Sequence, residues 1–143
     1  MMKFSGFLKV SAALLTVMVL SACSTSPVTS ALAEDTADIS DATYLTRNYE
    51  EANIIVVRDK GILGMACGVS VFLDGKKVAV LGAGKRVMLK VSAEEHIVGA
   101  KLGCDMGTRV IVEALADVSN GVRKNFRVST SSESGTLLMP TAF

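Results

Sequence analysis

The chain has 143 residues, half of them hydrophobic, and its 15 Lys and Arg against 14 Asp and Glu give a formal net charge of +1. That length fits one domain, and the balanced charge argues against a nucleic-acid partner, which calls for a concentrated basic face. One histidine and three cysteines leave little material for catalytic or metal-binding chemistry.

Residues 1–22 have the layout of a secretory signal peptide. Lys3 and Lys9 precede an apolar run, residues 10–20, and small residues follow it. The run is shorter than the ~20 residues that a membrane-spanning helix needs. A cleaved signal is therefore the preferred interpretation.

The end of this segment, Leu20-Ser21-Ala22-Cys23, resembles the bacterial lipobox, in which an aliphatic and two small residues precede an invariant cysteine. The resemblance implies that Cys23 carries diacylglycerol and, after cleavage, an acylated amino terminus. Two or more acyl chains anchor a protein stably to a membrane. Ser24 in the next position, rather than Asp, implies the outer membrane in enterobacteria-like sorting. The alternative is an ordinary signal, cleaved near Cys23 or near residues 31–33, which leaves a soluble periplasmic protein.

Residues 23–39 are predicted to form a flexible acidic tether, because residues 24–33 are rich in Ser, Thr and Ala and show no apolar period. Residues 24–52 carry a net charge of −5 and residues 53–143 a net charge of +4. We interpret the acidic leader mainly as a solubility feature. Residues 40–52 are predicted to form a short helix or ordered arm, with Asp41 placed to cap it.

Residues 53–143 are predicted to be all-β, a small antiparallel β-sandwich of 7–8 short strands. The β-branched run of residues 53–58 indicates a strand, and Asp74-Gly75 joins two alternating segments in a strong hairpin signal. Asn120-Gly121 predicts a second tight hairpin. Turn signals every 8–12 residues are typical of sandwiches and small barrels. The last strand is expected to end at Pro140.

The run from Val69 to Ala100 resembles the PEGA-type β-sandwich modules of bacterial envelope proteins and a related group of bacterial lipoprotein domains. Residues 71–78, VFLDGKKV, match the first half of their pattern, a strand, an Asp-Gly turn and a returning strand. In the second half, residues 91–96, Ser-Ala-Glu-Glu stands where Pro-Pro-Gly is usual. The resemblance implies a sandwich fold and an envelope setting, and it implies no activity.

Cys67 and Cys104 are predicted to form a disulfide, because an even pair in an exported chain favours one. Each cysteine lies beside a glycine. Closing a loop of about 38 residues adds ~3–4 kcal/mol in the chain-entropy account. The alternative is a pair of free buried thiols.

No catalytic residue, metal site or cofactor is predicted. His96 with either of these cysteines lacks the ligand number and spacing of a zinc site. Residues 82–85, Gly-Ala-Gly-Lys, lack the spacing of a phosphate-binding loop and lead into a strand. The enzyme alternative is an envelope hydrolase that would use His96 and nearby carboxylates such as Asp105 and Glu113.

Two groups of residues are candidates for a partner or polyanion surface. The first lies in an apolar, glycine-flanked loop that either completes the core or is exposed to a partner: Ile62, Leu63 and Met65. The second consists of basic residues near two turns, which are either solvated turn charges or a patch for lipid headgroups or an anionic glycan: Lys76, Lys77, Lys85 and Arg86.

The sequence thus predicts a non-catalytic cell-envelope protein that is anchored to a membrane through Cys23. It would act by binding or scaffolding, on an envelope protein or polymer that the sequence does not identify. The alternative within the same binding class is a surface-exclusion or immunity-type lipoprotein that neutralises an incoming factor.

Overall fold

A computed structural model of the chain describes residues 25–46, 51–61, 65–104, 110–131 and 135–142. The predicted signal peptide, residues 1–22, and the predicted lipidation site, Cys23, lie outside the described residues. The elements within those ranges are β1 (Glu34–Asp35), α1 (Thr43–Thr46), β2 (Ala52–Arg58), β3 (Val69–Leu73), β4 (Lys76–Leu81), β5 (Lys85–Val91), β6 (Glu95–Leu102), β7 (Val112–Asp117), β8 (Lys124–Ser131) and β9 (Gly135–Thr141).

The strands form two sheets that share one hydrophobic core. One sheet has the strand order β1-β5-β2-β8-β9 and the other the order β4-β3-β6-β7. Most neighbouring strands are antiparallel, whereas β1 with β5 and β2 with β8 are parallel. Buried side chains from both sheets, among them Ile54, Val71, Val98 and Phe126, pack together. The prediction of a small β-sandwich is confirmed, and the two-residue β1 adds one strand to the expected number.

Residues 25–39 are here called the strap: its first part covers the outer face of β2, β1 then joins the edge of the five-stranded sheet, and Ile39 bridges to Ala79 of β4. Ala33 of the strap forms a second buried cluster with Ile55 and Val57 of β2, and Val28 packs against it. The expectation of a flexible tether is therefore wrong for these residues. The physical reason is that β2 is apolar on both faces, so its outward side chains need a cover.

The two predicted tight turns have different roles. Asp74 and Gly75 join β3 to β4 with φ angles of 50° and 78°, as a two-residue hairpin requires, so this prediction is confirmed. Gly121 also has a positive φ of 71°. However, β7 pairs with β6 while β8 pairs with β2 and β9, so the prediction of a hairpin at Asn120-Gly121 is wrong: this turn carries the chain from one sheet to the other.

Residues 40–46 of the predicted arm and the C-terminal strand both pack on the sandwich. The Thr43 N–H donates to Oδ1 of Asp41 at 3.0 Å where α1 begins, and Tyr44 is buried in the core. Strand β9 follows β8 along the sheet edge and continues past Pro140, which pairs with Phe126. A proline is tolerated there because an edge strand need not donate on both sides.

Candidate functional site

The predicted disulfide between Cys67 and Cys104 is present, with their Cα atoms 5.3 Å apart. It joins the chain before β3 to the chain after β6, just beyond the first register pair of those neighbouring strands. The Gly103 N–H donates to the Gly68 carbonyl at 2.7 Å, and a Cβ on Gly103 would lie only 2.9 Å from that oxygen. Gly103 therefore permits the close approach of the two segments that the disulfide joins. We call this part of the sandwich, with the neighbouring turn at residues 82–84, the disulfide end.

A buried arginine ties the disulfide end together. Nη1 of Arg58 donates to the carbonyl oxygens of Cys67 and Leu81, at 2.5 and 2.9 Å. Burial lowers the pKa of this guanidinium from its ordinary value, because the apolar surroundings disfavour the charged form. From the sequence, Arg58 is only the charged residue at the end of a strand run, so its structural role was not predicted.

The carboxylate of Asp59 fastens the strap to this end. Its side chain is fully buried, and it accepts from Nε of Arg127 at 2.9 Å. The same carboxylate accepts from the Val28 N–H at 3.3 Å and from Oγ1 of Thr25 at 3.4 Å. One side chain thus holds the strap, the end of β2 and strand β8.

The four basic residues of the predicted polyanion surface are divided between two ends of the sandwich. Lys76 and Lys77 begin β4, whereas Lys85 and Arg86 begin β5 beyond the other end of β4. At ~3.3 Å per residue the length of β4 separates the pairs by roughly 17 Å. Three of the four have acidic partners earlier in the chain, in the pairs Lys85–Glu34, Arg86–Asp35 and Lys76–Asp41.

The predicted apolar loop is described only in part. Met65 is 61% exposed, and it lies next to the disulfide end. Ile62 and Leu63 lie outside the described residues. Met65 is therefore available to a partner surface rather than to the core.

His96 has a structural position. It is 6% exposed, its Nδ1 lies 2.8 Å from Oδ2 of Asp74 and its Nε2 lies 3.1 Å from the Ser92 carbonyl oxygen. It therefore links the β3–β4 turn to the turn before β6. Strand alternation places Glu113 on the opposite face of the sheet from His96. Asp105, the other carboxylate named for the hydrolase alternative, lies outside the described residues.

A different surface, which the sequence did not single out, has the features of a binding site. On the outer face of the four-stranded sheet, Ile97 and Leu115 are direct cross-strand partners and are 39% and 57% exposed. They border an open depression of about 410 Å³. We call this surface the β6–β7 face, and its lining residues are Asp74, Gly75, Ile97, Glu113, Ala114 and Leu115.

Carboxylates surround the apolar centre of the β6–β7 face. Asp74 and Glu113 line the depression, and Glu95 pairs directly with Asp117 beside it. Hydrogen bonds from Ser119 lower the pKa of Asp117 below its ordinary value. Lys124 contributes to this lowering through its charge, whereas Glu95 and Glu113 are exposed to solvent. The face is thus apolar at its centre and anionic at its rim.

The β6–β7 face also borders an open sheet edge. Strand β7 is the last strand of its sheet, and among the described residues it has a hydrogen-bonded neighbour, β6, on one side only. Just before β7, Val110 and Ile111 are exposed as well. An exposed apolar edge strand is a site at which another chain can add a strand.

In the part of the chain that the structure describes, no helix has the length and apolar character needed to cross a membrane. The same residues contain no group of three or more His, Cys, Asp or Glu side chains that could hold a metal ion. Comparisons with protein-family models, with curated proteins and with solved structures found no match. The resemblance to PEGA-type modules therefore stays a prediction.

Proposed function

We propose that the protein is a lipid-anchored component of a bacterial cell envelope that acts without catalysis, by binding a partner at the β6–β7 face. The observation that carries this proposal is the exposed pair of Ile97 and Leu115, set among carboxylates next to an open strand edge. A rigid sheet presents these side chains, so a partner covers them without ordering a loop.

The two parts of this face contribute differently to binding. Covering an exposed leucine side chain removes apolar surface from water, which favours binding by about 1.5–3 kcal/mol for full burial. The surrounding carboxylates steer a partner of opposite charge and fix its orientation. A partner that combines apolar with basic side chains matches both parts.

The cysteines support the proposed location in a bacterial cell envelope. Because Cys67 and Cys104 are bonded to each other, Cys23 keeps a thiol for acylation. Disulfides persist in oxidising compartments such as the bacterial periplasm. Both points agree with the lipobox-like sequence before Cys23.

The anchor is tested with Cys23→Ser, compared with the unchanged protein by membrane fractionation and labelling with a palmitate analogue. We expect the variant to lose the label and to leave the membrane fraction with its domain folded. Palmitate labelling that persists in Cys23→Ser would overturn the proposed site of lipidation.

The binding face is tested with a photo-crosslinking amino acid at position 115, with position 137 as the matched control. Leu137 is also an exposed leucine on a strand, but it belongs to the five-stranded sheet. We expect a discrete adduct in cells from position 115 that Glu113→Lys weakens, and none from position 137. The same adducts from both positions would contradict the assignment of the face.

A further inference from the structure

We infer that the disulfide end of the sandwich rests directly on the membrane surface and that this end contacts lipid headgroups. The inference depends on the proposed lipid anchor at Cys23, and it goes beyond that anchor by giving the domain a fixed orientation. It follows from the place where the strap joins the fold.

The strap is fixed to the disulfide end from its first described residues. Ser26 and Lys60 exchange two backbone hydrogen bonds, of 2.5 and 3.1 Å. Thr25 donates to the buried Asp59 and packs so closely on Gly61 that an added Cβ there would lie 2.7 Å from its Cγ2. The chain therefore becomes part of the folded domain at Thr25.

The distance from the anchor to the domain follows from covalent geometry. Three residue steps separate Cys23 from Ser26, and a fully extended chain spans at most ~3.6 Å per step, so these Cα atoms lie within about 11 Å of each other. A free tether over residues 23–39 would have allowed about 58 Å at the same rise. The headgroup layer accounts for roughly 5–8 Å on each side of a bilayer. A domain held this closely has no room to stand clear of the membrane.

The surface at this end suits a headgroup layer. Lys60 is exposed, and its aliphatic stem lies against the turn at Gly84. Met65, next to Cys67, and Val110, at the start of the chain into β7, are 61% and 65% exposed. The disulfide end thus carries both a cation and exposed apolar side chains, which is the combination with which proteins bind an anionic membrane interface.

The orientation also places the β6–β7 face. The Asp74-Gly75 turn, which lines the depression, lies at the far end of β3 and β4 from Leu81 and the disulfide. With the disulfide end on the bilayer, this depression lies toward the end of the sheet that is remote from the membrane. A partner in the aqueous compartment therefore reaches it without competing with lipid.

The test uses tryptophan, because the chain contains none. Acylated full-length protein carrying Met65→Trp is purified from bacterial membranes and incorporated into phosphatidylcholine–phosphatidylglycerol vesicles that contain a headgroup-level nitroxide lipid. Lys76→Trp, at the far end of β4, is the matched control. We expect loss of most of the fluorescence for position 65 and little loss for position 76. Val110→Trp serves as a second reporter at the disulfide end.

The outcomes separate the inference from the proposal beneath it. If the protein does not float with vesicles and carries no palmitate label, the proposed lipid anchor fails. If it floats and is labelled, but positions 65 and 110 are quenched no more than position 76, the inference is overturned while the anchor stands. A flexible Gly-Ser insertion between Ser24 and Thr25 should abolish the difference, and a difference that persists would overturn the role of the short connection.

Discussion

Oδ2 of Asp59 lies 2.9 Å from Nε of Arg127, with the aspartate side chain fully buried and the arginine side chain partly exposed. The pair joins the end of β2 to its parallel neighbour β8. Because the same carboxylate accepts hydrogen bonds from the strap, it couples the packing of the strap to that of the sheet.

Replacing Asp59 should release the strap. We predict that Asp59→Ala lowers the free energy of unfolding by about 2–3 kcal/mol, since it leaves a partly buried cation and two donors without their acceptor. Limited proteolysis should then cut within residues 25–39. Asp38→Ala, at an exposed carboxylate of the strap, is the control in urea unfolding. Equal unfolding midpoints for the two variants would count against this role for Asp59.

The disulfide should contribute a measurable share of stability. We predict that reduction with dithiothreitol lowers the free energy of unfolding by ~3–4 kcal/mol. A double variant, Cys67→Ala with Cys104→Ala, should be as unstable as the reduced protein and insensitive to the reductant. Denaturant unfolding of both proteins with and without dithiothreitol checks this, and an unchanged midpoint on reduction of the unchanged protein would refute it.

Glycine 68 should not tolerate a side chain. A Cβ at Gly68 would lie 2.4 Å from Cγ1 of Val80, whereas a Cβ at Gly82 meets only Cγ of Lys85, at 3.5 Å. We therefore predict that Gly68→Ala costs about 1–3 kcal/mol through overpacking, and that Gly82→Ala is close to neutral. The Tm values of the two variants test this prediction. A lower Tm for Gly82→Ala than for Gly68→Ala would contradict it and would show that β4 moves to accommodate the added methyl group.

The attachment of β1 should weaken in acid. The hydrogen bond and charge of Lys85 lower the pKa of Glu34 below its ordinary value of 4.5. A lowered pKa in the folded state means that the contribution to stability is present above about pH 4.5 and is lost as the pH falls through the lowered value. Carboxyl NMR titration should show the low midpoint, and Lys85→Met should raise it. A midpoint unaffected by that substitution would exclude the pairing in solution.

The last residues should be needed for stability. Deleting residues 137–143 removes most of β9, including Leu138, which packs against the core, and leaves β8 as an unprotected edge. We expect a fall in Tm of at least several degrees, since each kcal/mol corresponds to roughly 4 °C for a domain of this size. Deleting residues 142–143 alone keeps β9 and is the control. An unchanged Tm for the longer deletion would contradict the packing of β9.

Local chemistry made part of this fold predictable. Residues close in sequence determine the Asp74-Gly75 turn and the alternating strands. The disulfide was predictable because an even number of cysteines remains after Cys23. Strand partners are not local: Asn120-Gly121 has the residues of a hairpin turn, yet its strands lie in different sheets. The packing of the strap was not predicted, although the sequence contains a signal for it. Four consecutive apolar residues, Ile54 to Val57, require burial on both faces of their strand.

The β6–β7 face could not be predicted from the hydrophobic pattern of β7. In β7 the inward row is Val112, Ala114 and Ala116, whereas the larger Leu115 points outward between two carboxylates. The size and hydropathy of the β7 side chains therefore do not show which of the two rows faces the core. Only the pairing of Leu115 with Ile97 shows that two exposed apolar side chains meet at one place.

The parallel pairing of β2 with β8 also has a consequence for the time at which the chain folds. Ile54 pairs with Lys124, so the central strand of the five-stranded sheet receives its second neighbour only from the last quarter of the sequence. Contacts between such distant segments form slowly, and until then the apolar strand offers a bare edge to other chains. We expect folding to follow the completion of synthesis rather than accompany it, so that keeping the unfinished chain unaggregated is a separate task for the cell.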